Sequence, residues 1–320
     1  MSISPVHSRE PWTRMVIAIS GSSGLVGTAL RAALEARGHT IKRLVRRPAR
    51  GPEEISWDPE REQLDARSLE GVDAVVNLAG ESLAQRWTNN ARMRIRSSRV
   101  NGTIALARAI ASLAVKPRVM LSGSAIGIYG NRGDESLDES SVPGDDFLAS
   151  VAKAWETATA PASEAGIRVV LLRTGLVLSR QGGALPKMLL PFQLGVGGRF
   201  GDGNQWMSWI AISDLIAALA FLVRADSVSG PVNLVAPNPV TNAEFARTLA
   251  SVLGRPAMVP VPRFALSVLL GEMGEETVLA SQRVVARRLL ENGFKFKFPT
   301  LEEALWDAGV GRPAVAGEQR

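Results

Sequence analysis

The stretch from Met15 to Arg47 constrains this chain more than any other. An apolar run, Met-Val-Ile-Ala-Ile-Ser (Met15 to Ser20), leads into three glycines, Gly21, Gly24 and Gly27, each separated from the next by two residues. An amphipathic segment follows, closed by Gly38, and then a second β-type run, Thr40-Ile41-Lys42-Arg43-Leu44-Val45. Strand, glycine turn, helix and strand within this length make one βαβ unit. A parallel pair of that kind belongs inside a larger sheet covered on both faces, so the rest of the chain must supply more strands and helices.

The glycine positions carry a chemical expectation. A pyrophosphate must approach backbone N–H groups at a helix N-terminus, where unpaired donors and the helix dipole favour negative charge. A side chain at Gly21 would obstruct the turn out of the strand. One at Gly24 would hold the phosphates away from the amides, and one at Gly27 would push the helix off the sheet. The backbone of Gly21, Ser22, Ser23, Gly24, Leu25, Val26 and Gly27 is therefore expected to grip a dinucleotide. The end of the second strand should reach the adenosine ribose, where an acid suits the free 2′-hydroxyl of NAD and arginine suits the 2′-phosphate of NADP. Here stand Arg46 and Arg47, with no acid before Glu53. NADP(H) is the expected cofactor, and the bland alternative is a solvated basic turn.

Composition closes off other chemistries. The 320 residues contain no cysteine and two histidines, His7 and His39. That excludes thiolate sites and gives no basis for a histidine zinc site or a Ser-His-Asp triad, so no metal is expected. The net charge is +6, but the arginines are scattered and aromatics make up 5% of the chain, so nucleic acid is not an expected partner. Met1 to Arg14 reads as a loose tail without the apolar core of a signal peptide. The longest apolar helical run, Leu215 to Val223, is too short to span a bilayer. The expectation is a soluble cytoplasmic protein with a small-molecule substrate and no membrane partner.

Further strands follow at Glu54–Pro59, at Val72–Asn77 running into Leu78-Ala79-Gly80, at Pro117–Ser122 and at Arg168–Arg173, with Val177 just beyond the last. Leu78, Ala79, Gly80 and Val177 fall where a dinucleotide would cross the sheet, at the carboxyl ends of the strands. A long helix over Thr88–Leu113 and a second one containing Lys153, after the acidic loop Asp134–Asp146, lie between them. The alternation predicts an α/β fold, a Rossmann-type doubly wound parallel sheet. From Thr174 the chain is broken by glycines. The expected organisation is a tail (1–14), a dinucleotide-binding domain (15–180, with 211–236 returning to it) and a smaller mixed C-terminal substrate lobe (181–210 and 237–320). In the later part, Ser213-Asp214 reads as a helix cap, Glu276–Asn292 as helical, and Phe294-Lys295-Phe296-Lys297-Phe298 as a short half-buried strand. Trp206 and Trp209 read either as a substrate wall or as core.

These pieces resemble a known family. The glycine triplet, Trp57-Asp58-Pro59, Asn77-Leu78-Ala79-Gly80-Glu81, Ser122-Gly123-Ser124 with Tyr129-Gly130, Trp155-Glu156, Arg173-Thr174-Gly175, Ser208-Trp209-Ile210 and Gly271-Glu272-Met273 are similar to the extended short-chain dehydrogenase/reductase superfamily. Within it they resemble the NAD(P)-dependent epimerase/dehydratase proteins that carry a C-terminal domain of unknown function.

The resemblance implies an oxidoreductase or epimerase acting on a small, sugar-like or anionic substrate through an Asn-Ser-Tyr-Lys set. Ser124 matches the serine that orients the substrate. Lys153 takes the lysine position, which puts Ala149 where the tyrosine should be, and Arg99 stands at the asparagine. Alanine cannot move a proton. Tyr129 is the only tyrosine in the chain, so a phenolate mechanism must use it; otherwise it is a packing residue. Lys153 acting alone needs burial to lower its pKa.

The catalytic candidates are therefore Ser124, Lys153 and Tyr129, with Glu81 a weaker acid/base. Arg99 is expected to pair with the cofactor phosphates, or with a substrate anion. A second reading is an NADP(H)-binding regulatory or sensor protein that has kept the nucleotide site and lost the catalytic set. Related proteins often pair through helices corresponding to Thr88–Leu113 and Phe147–Ala165, so a homodimer is among the implied assemblies.

Overall fold

A computed structural model of the chain describes residues 14–256 and 259–311. The expected tail, apart from Arg14, lies outside the described residues, His7 with it. In chain order the elements begin β1 (Val16–Ser20), α1 (Leu25–Glu35), β2 (Thr40–Val45), β3 (Glu54–Asp58), β4 (Gln63–Leu64), β5 (Ala74–Asn77), α2 (Asn89–Ala111), β6 (Val119–Ala125), β7 (Ser136–Leu137), α3 (Phe147–Thr157), α4 (Ala160–Glu164) and β8 (Arg168–Thr174). They continue with β9 (Leu176–Leu178), α5 (Leu185–Gln193), β10 (Trp206–Met207), β11 (Trp209–Ala211), α6 (Ile212–Arg224), β12 (Gly230–Leu234), β13 (Val240–Thr241), α7 (Asn242–Leu253), α8 (Arg263–Leu270), β14 (Arg283–Val284), α9 (Arg287–Glu291) and α10 (Leu301–Asp307).

The main sheet runs in the order β12-β8-β6-β5-β1-β2-β3-β4. All neighbours are parallel except β3 and β4. Its period-2 alternation sorts side chains between two layers. Ile17 and Ile19 of β1 join Leu30 and Leu34 of α1 and Leu215, Leu219 and Leu222 of α6 on one face. Ala18, Val75 and Met120 join Leu106 and Ile110 of α2 on the other. With both faces covered, the central strands are apolar throughout, which is why they read as continuous runs. The order reverses at β1, which pairs with β2 on one side and β5 on the other. In open α/β sheets that switch point, at the carboxyl ends of the strands, is where ligands bind.

Local signals set the helix ends. The side chains of Thr88 and Asp146 accept from the amides of Ala91 and Ala149, capping α2 and α3. Gly254 closes α7 in the left-handed region at φ 62°. A second, smaller core holds the lobe together, with Leu185, Leu189, Phe192, Trp209, Phe245, Leu249, Leu301 and Leu305 at its centre.

Val284, Ala286, Leu289 and Phe294 are buried in the main core. Two later expectations are corrected. Glu276–Asn292 is not one helix. It divides into a π turn (Gly274–Val278), β14 and α9, because β14 pairs with β7 and long-range pairing overrides local pattern. Phe294–Phe298 forms no strand. Its backbone is held by Asp214, whose carboxylate oxygens accept from the amides of Lys297 and Phe298 at 2.9 Å each. Asp214 thus fastens a distant segment to α6 and does not cap its own helix. Among the described residues no helix is long and apolar enough to cross a membrane, and no group of His, Asp or Glu side chains gathers as a metal site.

Candidate dinucleotide and catalytic site

The glycine turn sits at the carboxyl end of β1, against the end of β5. Gly21 has φ 68°, and a Cβ on it would lie 2.7 Å from the carbonyl carbon of Leu78. Both the conformation and the space demand glycine. A Cβ on Gly27 would lie 2.2 Å from the carbonyl oxygen of Gly21. Gly27 therefore lets α1 close onto the turn itself, not onto the sheet as its position alone suggested. A Cβ on Gly24 would meet only the Gly21 oxygen, at 3.3 Å.

Gly24 is the N-cap residue of α1. No side chain caps the helix, and no acid lies in its first turn. By helix geometry the amides of Leu25, Val26 and Gly27 have no intrahelical acceptor. Ser23 and Gly24 are exposed and Ser22 is buried. The result is a bare, positively polarised helix end that a phosphate can reach, so a pyrophosphate fits here.

The Leu78-Ala79-Gly80 loop beside it is positioned by a buried polar chain. Ser20 Oγ donates to Asn77 Oδ1 at 2.6 Å and accepts from the amides of Leu78 and Ala79. Asn77 Nδ2 donates to Thr103 Oγ1 at 2.8 Å, and Trp155 Nε1 donates to the same oxygen at 2.9 Å. The loop is thereby tied to α2 and α3. Val177, in β9 beyond β8, is half-buried and pairs with Ile210 of β11.

At the adenosine end the two arginines differ. Arg47 forks onto Glu54 of β3 through two hydrogen bonds of 2.7 Å, and Arg43 adds a third to the same carboxylate at 2.6 Å. Arg47, with lesser help from the Arg50 amide, holds the Glu54 carboxyl down at about 2. Of the two arginines expected to face a 2′-phosphate, Arg47 has its fork on an acid from the neighbouring strand. Arg46 is exposed, and its field reaches Glu81. Glu81 itself accepts from Gln85 and Arg94, which keep its pKa low, so it is no ready proton donor.

The catalytic candidates fare unevenly. Tyr129 is fully buried. Its phenol donates to Asn233 Oδ1 at 2.7 Å and accepts from Arg173 Nη1 at 3.0 Å, and burial raises its pKa. The tight turn Ile126–Tyr129 rolls the ring into the main core. Lys153 lies exposed on α3 and donates to the Gly144 carbonyl at 3.0 Å. The inward face of α3 is Ala149, Val151, Ala152 and Trp155. Lys153 is about 40° of helix rotation from Ala149, and its head turns outward to Gly144 instead of following that face.

Ser124 is 5% exposed and donates to Glu156 Oε1 at 2.7 Å. Arg173 clamps the same carboxylate through Nε at 2.8 Å and Nη2 at 2.9 Å. Arg99 is half-buried, its guanidinium over the Trp155 ring at 5.1 Å.

Residues 17–235 match the family described as NAD dependent epimerase/dehydratase, and residues 261–308 match a domain of unknown function, DUF1731. The chain belongs to the NAD dependent epimerase/dehydratase family. Among relatives of this epimerase-family chain, the epimerase family protein Mb2239 of Mycobacterium bovis is 45% identical over 291 residues, 91% of this chain and 96% of that one. The human epimerase family protein SDR39U1 is 38% identical over 295 residues, 91% and 98% of the two chains. A crystal structure of human SDR39U1 (isoform 2) with NADPH matches with a TM-score of 0.84 and 37% identity, over 92% of this chain and 99% of that one. A nucleoside-diphosphate sugar epimerase from Corynebacterium glutamicum matches with a TM-score of 0.78 and 40% identity, over 95% of this chain and 60% of that one.

Within this family member, sequence reasoning passed over Glu156, Arg173, Asn77 and Thr103 as functional residues. Trp155-Glu156 and Arg173-Thr174-Gly175 were visible as motif pieces, yet nothing local says that residues 17 and 32 apart share one carboxylate.

Proposed function

We propose that this epimerase-family chain binds NADPH across the β1–β5 switch point and works as an oxidoreductase or epimerase on a small substrate. The bare helix end at Gly24 carries the reading, because it offers amides to a pyrophosphate with no side chain of its own in the way. The NADPH of the human relative's structure supports the phosphorylated cofactor, as does exposed Arg46 at the end of β2. The bound cofactor would supply or accept hydride. The chain's own residues would align it: the turn Gly21–Gly27 and the loop Leu78–Gly80 hold the middle, and Val177 borders the far end. Ser124 is an acceptor toward a substrate hydroxyl, because its own proton is committed to Glu156.

A second reading has an observation behind it. Ala149 on the inner face of α3 stands where a tyrosine would, and Lys153 points outward to the Gly144 carbonyl, which suits a protein that holds NADPH without turning it over. Calorimetry with NADPH and NADH tests the shared part of both readings, and no heat with either dinucleotide defeats them together. Consumption of NADPH across a panel of carbonyl compounds separates them: turnover supports the enzyme, tight binding without turnover the sensor.

A further inference from the structure

Exposed apolar side chains gather in one region of the lobe. Ten large ones are exposed among the described residues, and six of them are Leu190, Leu194, Val196, Val259, Phe264 and Val268. Scattered singly, such residues are ordinary surface; gathered together, they mark a face that meets something apolar.

Two helices and the chain between them bring these six together. On α5 and its C-cap, Lys187, Leu190, Pro191 and Leu194 recur at helical spacing and are exposed. Leu185, Leu189 and Phe192 fill the lobe core from the opposite face. A helix apolar on both sides is normally buried all round, so the outer face of α5 calls for a cover. Gly198 lies against the Val259 carbonyl, and Val261 donates its amide to the Arg199 carbonyl at 2.9 Å. That contact sets Val259 beside the turn after α5, and the chain leads from there into α8. Phe264 and Val268, one turn apart on α8, are 73% and 83% exposed, while Leu266 is buried.

Charge narrows what the face can meet. Residues 185–201 and 255–270 contain Lys187, Arg199, Arg255 and Arg263 and no acid. Arg263 is paired with Glu275 at 2.8 Å. The other three form no ion pair among the described residues. A second copy docked face to face would set these cations against their own images, an unfavourable arrangement. A bilayer surface with anionic headgroups suits both features, because apolar tips enter the acyl boundary while cations stay at headgroup level.

We infer that this face of the lobe docks on an anionic lipid surface. Leu190, Leu194, Phe264 and Val268 insert, and Lys187, Arg199 and Arg255 meet the headgroups. The expectation of no membrane partner rested on spanning length, which a helix lying in the interface does not need.

The test mixes the full chain with vesicles of phosphatidylcholine alone, or of phosphatidylcholine and phosphatidylglycerol in equal parts, and measures the protein that sediments with them. Binding to the mixed vesicles is expected, about tenfold or more above phosphatidylcholine alone, and it should fall as salt is added. Leu190→Ser with Leu194→Ser, and Phe264→Ser with Val268→Ser, should each weaken it about tenfold. The Tm should not change, since all four side chains already stand in water. Val115→Ser, at an 80% exposed position outside this face, should leave binding as it was. Equal binding to both kinds of vesicle, or binding that both double variants leave intact, overturns the inference. So does absence of binding to either vesicle, which leaves the face to a protein partner. Concentration-dependent dimerisation in sedimentation velocity that the double variants abolish would give the face to a second copy and overturn it too.

Discussion

Replacing Arg46 or Arg47 with serine asks which of two adjacent cations recognises the 2′-phosphate. Arg47 is engaged on Glu54 by two bonds of 2.7 Å, so moving it to a ligand means breaking a forked ion pair. Arg46 forms no ion pair among the described residues and is exposed at the end of β2. A hydrogen bond to a charged group contributes about 1.5–3 kcal/mol, roughly 10- to 150-fold in affinity. Exposure and screening favour the lower end. Arg46→Ser should therefore weaken NADPH binding about tenfold and leave NADH unchanged.

Arg47→Ser leaves Glu54 still bound by Arg43 at 2.6 Å and by the Arg50 amide at 2.9 Å. Its effect on NADPH should stay within about threefold, because the lost bonds are internal to the protein. Calorimetry of both variants with NADPH, NADH and adenosine 2′,5′-bisphosphate measures this, and the Arg46 effect should shrink at high salt. Equal losses from the two substitutions would refute the division of labour. A parallel loss of NADH would show that Arg46 supports the fold of the β2 turn and does not read the phosphate.

Tyr129→Phe deletes a hydroxyl that serves both Asn233 and Arg173, so about 1–3 kcal/mol of stability should go, with NADPH affinity intact; a variant of normal Tm that fails in hydride transfer would put the phenol back into the chemistry. Glu156→Leu or Arg173→Met alone leaves a buried charge unpaired, at about 3–5 kcal/mol or roughly 6–10 °C in Tm. The double variant should recover most of that, and simple additivity of the two losses counts against a coupled pair. Glu54 has its folded-state pKa depressed from 4.5 to about 2. Its contribution is therefore present above the unfolded pKa and is lost as pH falls through the folded one. The Tm gap between wild type and Glu54→Gln should be full near neutral pH and should close as pH drops from 4.5 toward 2; a gap that widens on acidification contradicts the assignment.

The candidate site was legible where its chemistry is backbone chemistry. Gly21 and Gly27 are required by a positive φ and by contacts within a few residues, or with one neighbouring loop, so spacing alone pointed to them. Side-chain roles were less legible. Lys153 and Ala149 are four apart on α3, and only packing shows that the lysine head turns outward to Gly144. Tyr129 looked available because it is the sole tyrosine, while its partners, Arg173 and Asn233, come from strands 44 and 104 residues away. The stacking of Arg99 between Gly80 and Trp155 joins residues that are far apart in the chain.

From sequence alone came the βαβ unit, the parallel doubly wound sheet and the edge at which a dinucleotide would bind. Strand periodicity, helix amphipathy and glycine's conformational freedom all act over a few residues and leave their mark in local order. The tertiary structure alone decided which charges are spoken for and which still want a partner: Arg47 is taken by Glu54, Arg173 by Glu156, and Arg99 by no acid among the described residues. An ion pair forms between side chains from separate strands and helices, and its strength depends on how far both are drawn out of water, which folding settles and residue spacing does not record.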